Sequence, residues 1–199
     1  MKVLIIDDDI AWAKSFSCEL IEKGYTTAIA LTKDDAINEL KNNTYVFITV
    51  DMFIGNDEFA GLKVIKEIRA LTDAYIIVLS GSNIDPNIVL QCHQHGAIGY
   101  ELKKYYLEIP EKLKDITNGS YPPMLLTMQF KYQQLNNQDI KVIKELEAGK
   151  KISEIDKISV DATYKRIQRI RKKIGIPINI LLKYLKLDTF LSNDKTQKN

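Results

Sequence analysis

The apolar run Val3, Leu4, Ile5, Ile6 stops on three consecutive acids, Asp7, Asp8 and Asp9. A short unbroken apolar run is the mark of a strand buried on both faces, and such strands belong to parallel sheets covered by helices. A helical spacing begins at once: Ala11, Ser15, Cys18, Ile21 and Glu22 recur at three- and four-residue intervals, and Gly24 stands as a C-terminal stop. The alternation then repeats. A strand is predicted at 26–30, a helix at 33–42 with Asp34 and Asp35 in its first turn, and a strand at 45–50. Further on come a helix at 61–71, a strand at 75–79, a helix at 86–95, a strand at 98–101 and a helix at 109–117.

Strands alternating with helices predict an α/β fold of the flavodoxin-like, doubly wound kind, with a five-stranded parallel sheet and helices on both faces. In such sheets ligands sit beyond the carboxyl ends of the strands. The strands ending at Asp7 and Asp8, at Asp51 and at Ser80 would therefore deliver their last residues to one pocket.

Asn118, Gly119, Ser120, Pro122 and Pro123 break the pattern and mark a boundary. The expected organisation is a first domain at 1–118, a linker at 119–134, a smaller all-α domain at 135–191 and a disordered polar tail at 192–199. Charge divides the same way. Residues 1–131 hold 13 Lys and Arg against 18 Asp and Glu, whereas residues 132–199 hold 15 against 8, so the overall +2 hides an acidic front and a basic back. A basic domain suits a polyanion such as nucleic acid. No signal peptide or membrane span is visible, and a cytoplasmic location is expected. Cys18 and Cys92, without metal-ligand spacing, are expected to be reduced and buried. His93 and His95, two apart on a helix, point to different faces and are expected at the surface rather than as a chelating pair.

Three carboxylates at the ends of adjacent strands repel one another unless a cation holds them. A hard divalent ion with oxygen ligands does so, and magnesium also accepts phosphate oxygens. A carboxylate beside such an ion can attack an activated phosphoryl group and form an acyl phosphate. Lys103 and Ser80, where two further strands end, offer a positive charge and a hydroxyl for the transferred oxygens.

With those residues in view, the first 118 residues resemble a two-component receiver domain. The likeness runs through Val3-Leu-Ile-Ile-Asp7-Asp8-Asp9, Thr49-Val-Asp51-Met52, Ile76-Ile-Val-Leu-Ser80-Gly81 and Gly96-Ala-Ile-Gly-Tyr100-Glu-Leu-Lys103. It implies that Asp51 is the phosphoacceptor, that Asp7, Asp8, Asp51 and the backbone carbonyl of Phe53 hold Mg2+, and that Lys103 binds the phosphoryl group. It also implies that Ser80 is the switch hydroxyl and Tyr100 the aromatic that turns inward on activation. Two departures stand out. The loop from Met52 to Ala60 is about two residues longer than common and has no proline after Asp51, and Lys104 replaces the proline that commonly follows the lysine. The turn carrying Lys103 is therefore expected to be held differently.

In the basic part, a helix is predicted at 138–148, stopped by Gly149, a short one at 152–157, and a third at 160–174 with Ser159 as its N-cap. Val160, Thr163, Ile167, Ile170 and Ile174 form the expected buried stripe of the third, with Lys165, Arg166, Arg169, Lys172 and Lys173 opposite and Tyr164 and Gln168 on the flank. A helix packed by one stripe and basic on the other suits a DNA major groove. Residues 135–191 resemble the helix-turn-helix output domain of LuxR- and NarL-type regulators. That likeness puts Tyr164, Lys165 and Gln168 at base-reading positions and Arg166, Arg169 and Lys172 at phosphates. The closing helix at 179–191, with Ile180, Leu181, Tyr184, Leu185 and Leu187, serves either as a dimer contact or as core.

Together the two resemblances imply a DNA-binding response regulator, phosphorylated by a sensor histidine kinase and a homodimer when active, which turns over no external substrate. The sequence also leaves room for an output domain that binds RNA as an antiterminator or binds protein, and for regulation without phosphorylation.

Overall fold

A computed structural model describes residues 1–55, 57, 59–82, 86–121, 123, 134–155 and 159–174, with the side chains of 147, 171 and 174 set aside. The chain divides into two units, residues 1–130 and 131–199.

The first unit runs β1 (Lys2–Ile6), α1 (Ile10–Glu22), β2 (Thr26–Ala30), α2 (Lys33–Asn42), β3 (Phe47–Asp51), α3 (Ala60–Ile68), β4 (Tyr75–Ser80), α4 (Pro86–Gln94), β5 (Ala97–Leu102) and α5 (Ile109–Asn118). The strands form one sheet in the order β2-β1-β3-β4-β5, and every pairing is parallel. This is the expected doubly wound sheet. Its central strands are buried along their length apart from Lys2 at the start of β1, which explains why their sequences read as apolar runs. Leu4, Ile6, Ile48, Val50, Ile76 and Val78 pack on one face with residues of α2, α3 and α4. By alternation Val3, Ile5, Phe47 and Ile77 serve the other face. Tyr25 ties the start of β2 to α5 by donating to the Pro110 carbonyl at 3.1 Å.

Several expectations need correction. Helix α1 buries Ala13, Phe16, Ser17 and Leu20, not the face of Ala11, Ser15, Cys18 and Ile21. Both faces share the helical period, but Phe16 and Leu20 remove more apolar area from water. Cys18 is consequently exposed, and only Cys92 is buried. His93 is buried rather than superficial. Gly96, at φ 100°, turns the chain from α4 straight into β5, so the last turn of the helix lies against the sheet. The His93 Nδ1 lies 3.1 Å from the Ala97 carbonyl, and burial holds its imidazole pKa below the ordinary value. A 3-10 turn at Lys103–Glu108, unforeseen in the sequence, follows β5.

Past α5 the chain folds back over β5. The Tyr121 ring lies on Gly99, where a Cβ would stand 2.3 Å from the Tyr121 hydroxyl oxygen. That hydroxyl donates to Glu101 Oε1 at 2.7 Å, and Lys112 of α5 donates to Glu101 Oε2 at 2.6 Å.

In the second unit, α6 (Asn137–Glu147) is capped by the Asn136 side chain, which accepts from the Asp139 N–H at 2.8 Å, and Gly149 follows it at φ 79°. A 3-10 turn at Ile152–Glu154, with Ile155 extended, occupies the start of the short helix expected at 152–157, and residues 156 and 157 lie outside the described residues. Ser159 caps α7 (Val160–Ile174). Leu135, Val142, Ile143, Ile155, Ile167 and Ile170 are buried, and the Thr163 hydroxyl donates to the Ile155 carbonyl at 3.0 Å. Val160 is 54% exposed, so the buried stripe of α7 begins one turn later, at Thr163. The expected closing helix, the tail and most of the linker lie outside the described residues. Among the described residues no helix is long and apolar enough to cross a membrane.

Gly61 marks a close approach of backbone to backbone at the carboxyl edge of the sheet. A Cβ there would stand 2.4 Å from the Asp51 carbonyl oxygen and 2.7 Å from the Met52 Cα, both backbone atoms. Gly61→Ala is expected to cost about 1–3 kcal/mol in a urea titration. Gly81→Ala, which meets nothing within 4 Å, is expected to stay within about 0.5 kcal/mol of wild type. Equal midpoints for the two variants would contradict this packing.

Candidate functional site

Ile6 of β1 is in register with Val50 of β3, so the residues that follow, Asp7 and Asp51, stand side by side at the carboxyl edge of the sheet. Asp51 in turn is level with Leu79 of β4, one residue before Ser80, and Ser80 is level with Leu102 of β5, one residue before Lys103. Parallel register therefore brings Asp7, Asp51, Ser80 and Lys103 to one edge from four strands.

One carboxylate oxygen from each of Asp7, Asp8 and Asp51 lies within 4.8 Å of the other two. The Lys103 ammonium lies between two of them, 2.7 Å from Asp7 Oδ2 and 2.9 Å from Asp51 Oδ2. The remaining contacts come from backbone. Asp7 Oδ1 accepts from the Asp9 N–H at 3.0 Å, Asp51 Oδ1 from the Phe53 N–H at 3.3 Å, and Asp8 Oδ2 from the Gly55 N–H at 2.8 Å. Asp9 turns the other way and caps α1, accepting from Ala11 and Trp12 at 3.0 Å. The three acids of the run thus separate into two pocket residues and one cap.

The electrostatics follow from burial. Asp7 is 1% exposed and its pKa is pushed up to about 6, chiefly by loss of water, with the Lys103 hydrogen bond opposing and the Asp51 charge adding to the rise. Burial likewise raises Asp51 against the pull of Lys103. For Lys103, burial acts to lower the pKa, but its hydrogen bonds and charge contacts with Asp7 and Asp51 outweigh that and raise it. One ammonium faces three carboxylates, an excess of negative charge on hard oxygen donors that suits a divalent cation.

Ser80 is fully buried, and its hydroxyl donates to the Ser82 carbonyl at 2.9 Å. Tyr100 is half-buried against the core under α2, α3 and α4, and burial pushes its hydroxyl up to about 12. Phe53 is half-buried just past β3. The long loop after Asp51 folds on itself through a bridge between Ile54 and Asp57, and Asp57 pairs with Lys63 of α3. Gly55, at φ 67°, is the residue of this loop that reaches Asp8.

Sequence reading missed Trp12. Its ring lies under the Lys103 ammonium, 4.5 Å from Nζ to the centroid. Its place in the first turn of a helix that starts at the same sheet edge was the available signal.

On α7, Tyr164 is 52% exposed, Lys165 is exposed and paired with Asp161 at 2.8 Å, Gln168 is half-buried and Lys172 is exposed. Arg166 and Arg169, expected at phosphates, have partners on α6. Arg166 donates to Gln138 at 2.7 Å, and Arg169 lies 3.5 Å from Asp139. Asp139 is fully buried and also holds Lys173 at 3.0 Å. Burial acts to raise its pKa, but the Lys173 hydrogen bond and charge more than offset this, so the carboxyl ends below its ordinary value.

Residues 3–114 match the response regulator receiver domain family. The transcriptional regulatory protein ZraR of Salmonella typhimurium is 25% identical over 101 residues, which cover 51% of this chain and 22% of ZraR. The chain thus spans about a fifth of the length of that curated relative. A crystal structure of the response regulator TrrA from Thermotoga maritima, in complex with Mg(2+)-BeF, is similar at 27% identity and a TM-score of 0.50, covering 57% of this chain and 96% of that one. The Salmonella typhimurium response regulator RcsB, described for its conformational dynamism for DNA interaction, shares the fold at 21% identity and a TM-score of 0.54, over 94% of this chain and 98% of RcsB. With more than half of its length in the matched segment and the acidic pocket at the edge of the sheet, the chain belongs to the response regulator receiver family of two-component systems.

Proposed function

We propose that this protein is a cytoplasmic, DNA-binding response regulator whose Asp51 accepts a phosphoryl group from a sensor histidine kinase and thereby controls transcription. The observation that carries this reading is the contact of Asp51 with Lys103 at 2.9 Å inside a cluster of three carboxylates. An Asp51 oxygen attacks phosphorus while the P–N bond of the kinase phosphohistidine breaks and the imidazole leaves with the electron pair. Lys103 Nζ, already at the carboxylate, meets the oxygens of the transferred group. Asp7, Asp8, Asp51 and the Phe53 carbonyl would hold Mg2+, which supplies charge neutralisation for the phosphoryl oxygens. The Mg(2+)-BeF complex of TrrA supports that choice of ion. The reaction acts on the protein itself, and no external substrate is turned over.

Ser80 and Tyr100 are the switch pair in this reading. The Ser80 hydroxyl now donates to its own loop, and a phosphoryl oxygen at Asp51 offers it a charged acceptor instead. The output is assigned to the helical unit, with Tyr164, Lys165 and Gln168 facing the DNA major groove, Lys172 at a phosphate, and homodimers binding two-fold-related sites. The description of ZraR as a transcriptional regulatory protein supports a transcriptional role. Because Arg166 and Arg169 are engaged with α6, their part in DNA binding is secondary to holding the two helices together.

Three measurements test this. Incubated with magnesium and a small phosphodonor, wild type is expected to gain the mass of one phosphoryl group and Asp51→Asn none; uptake by the variant would remove Asp51 from the reading. In gel shifts, phosphorylated protein is expected to prefer duplex DNA over RNA and single strands. Lys172→Ala is expected to weaken binding across sequences and lower the salt slope by about one. Equal affinity for single strands would defeat the output assignment.

The third concerns the pocket. Because the folded Asp7 carboxyl is held at about 6 against 3.8, the folded state binds that proton more tightly than the unfolded chain does. The stability this contributes is complete below the unfolded value and is lost as pH rises through the folded one. In metal-free buffer wild type is expected to lose up to about 3 kcal/mol on this account over that window. Asp7→Asn should remove the Asp7 share of the slope and so flatten it, leaving the share of Asp51, whose pKa is also raised, and magnesium at neutral pH should restore wild-type stability. Identical pH profiles for the two proteins would contradict the burial of this charge.

A further inference from the structure

Lys103 carries a flexible four-carbon stem, yet its ammonium must stay beside Asp51 for the pocket to work. Two carboxylates hold it, and a third group covers it: the Trp12 ring, 4.5 Å from Nζ. Trp12 is itself fixed. Its backbone N–H donates to the capping Asp9 at 3.0 Å, and its ring packs on fully buried Phe16 with centroids 5.1 Å apart.

Phe16 then meets Tyr106 edge to face, at 6.4 Å and 86°. Tyr106 belongs to the same 3-10 turn that begins at Lys103. Helix α1 therefore grips this turn at two points, through Trp12 on the Lys103 ammonium and through Phe16 on the Tyr106 ring. The grip matters because the backbone of the turn is irregular: Lys104 places no ring constraint on the backbone after Lys103, and Tyr105 departs from helical geometry at φ −103° and ψ 24°.

We propose that Trp12 is a positioning residue for phosphoryl transfer to Asp51, holding the Lys103 ammonium at the pocket by a cation–π contact. The inference rests on the reading of Asp51 as acceptor. A cation over an indole face is worth more as water is excluded, and the Lys103 side chain is only 15% exposed. When negative charge moves from the donor to the oxygens around Asp51, Lys103 has to turn from carboxylate to phosphoryl without swinging into solvent. The ring supplies an attraction that remains through that change.

The test uses the full chain with phosphoramidate and magnesium. The Asp51 oxygen forms a bond to phosphorus, the P–N bond breaks, and the nitrogen leaves as ammonia after taking a proton from water. Trp12→Met keeps apolar bulk and removes the π face; Trp12→Phe keeps a smaller one. Trp12→Met is expected to slow phosphorylation about 5- to 30-fold while it stays folded and its magnesium affinity stays at the wild-type value. Trp12→Phe is expected to recover most of the rate. This split between rate and metal affinity, and the rescue by another ring, would not arise from a merely structural role. A Trp12→Met rate equal to wild type, or equal losses in both variants, overturns the inference while leaving Asp51 as acceptor. Wild type that takes up no phosphoryl group defeats the Asp51 reading and this inference with it.

Discussion

The ion pairs from Lys103 to Asp7 and Asp51 are the constraint on which the sheet edge depends. Two carboxylates from adjacent strands would repel each other at this depth, and the ammonium from the end of a third strand offsets the repulsion. That requirement explains several features that otherwise stand apart. Gly61 lets α3 start against the Asp51 backbone, Gly55 brings an N–H to Asp8, and Asp9 turns away to cap α1. Each fixes one carboxylate in place, so the geometry is set before any ion or phosphoryl group arrives. A pocket built this way carries its cost in the resting protein, in the raised pKa of Asp7, and releases it when positive charge is added.

Much of this was legible in the chain. A parallel strand buried on both faces can hardly be written except as an apolar run, and β2, α2 and α7 matched their expected bounds. The pocket was legible for the same reason: parallel strands deliver their last residues to one edge, so acids, a serine and a lysine after four apolar runs belong together. What was not legible involved choices between equal periods or contacts distant in sequence. The two faces of α1 share one spacing, and only side-chain size decides that Phe16 and Leu20 turn inward. His93 was read as a surface residue because helix-end histidines usually are, but Gly96 folds that end onto β5. Trp12 could not be tied to Lys103 across 91 positions by any local pattern.

In the helical unit the basic residues divide between packing and surface. Its excess of Lys and Arg suggested a surface for a polyanion, yet a buried acid, Asp139, holds Lys173 and approaches Arg169, and Gln138 takes Arg166. Removing Asp139 would leave these cations facing one another at the helix crossing, so part of the basic character serves the packing of α6 on α7. The outward face keeps Tyr164, Lys165, Gln168 and Lys172, a mixed set of one aromatic, one amide and two cations.

The ring of Tyr121 over Gly99 has a consequence for how this fold can vary. The two positions share one volume: any side chain at 99 enters the space that the phenol occupies. Substitution there is ordered in time. Position 121 must shrink before position 99 can grow, because the reverse order passes through a clash with the ring, whereas shrinking first costs a cavity and the hydrogen bond to Glu101. Among descendants of this chain the two sites would change as a pair, and their covariation would record a contact between β5 and the chain beyond α5 that neither position reveals alone.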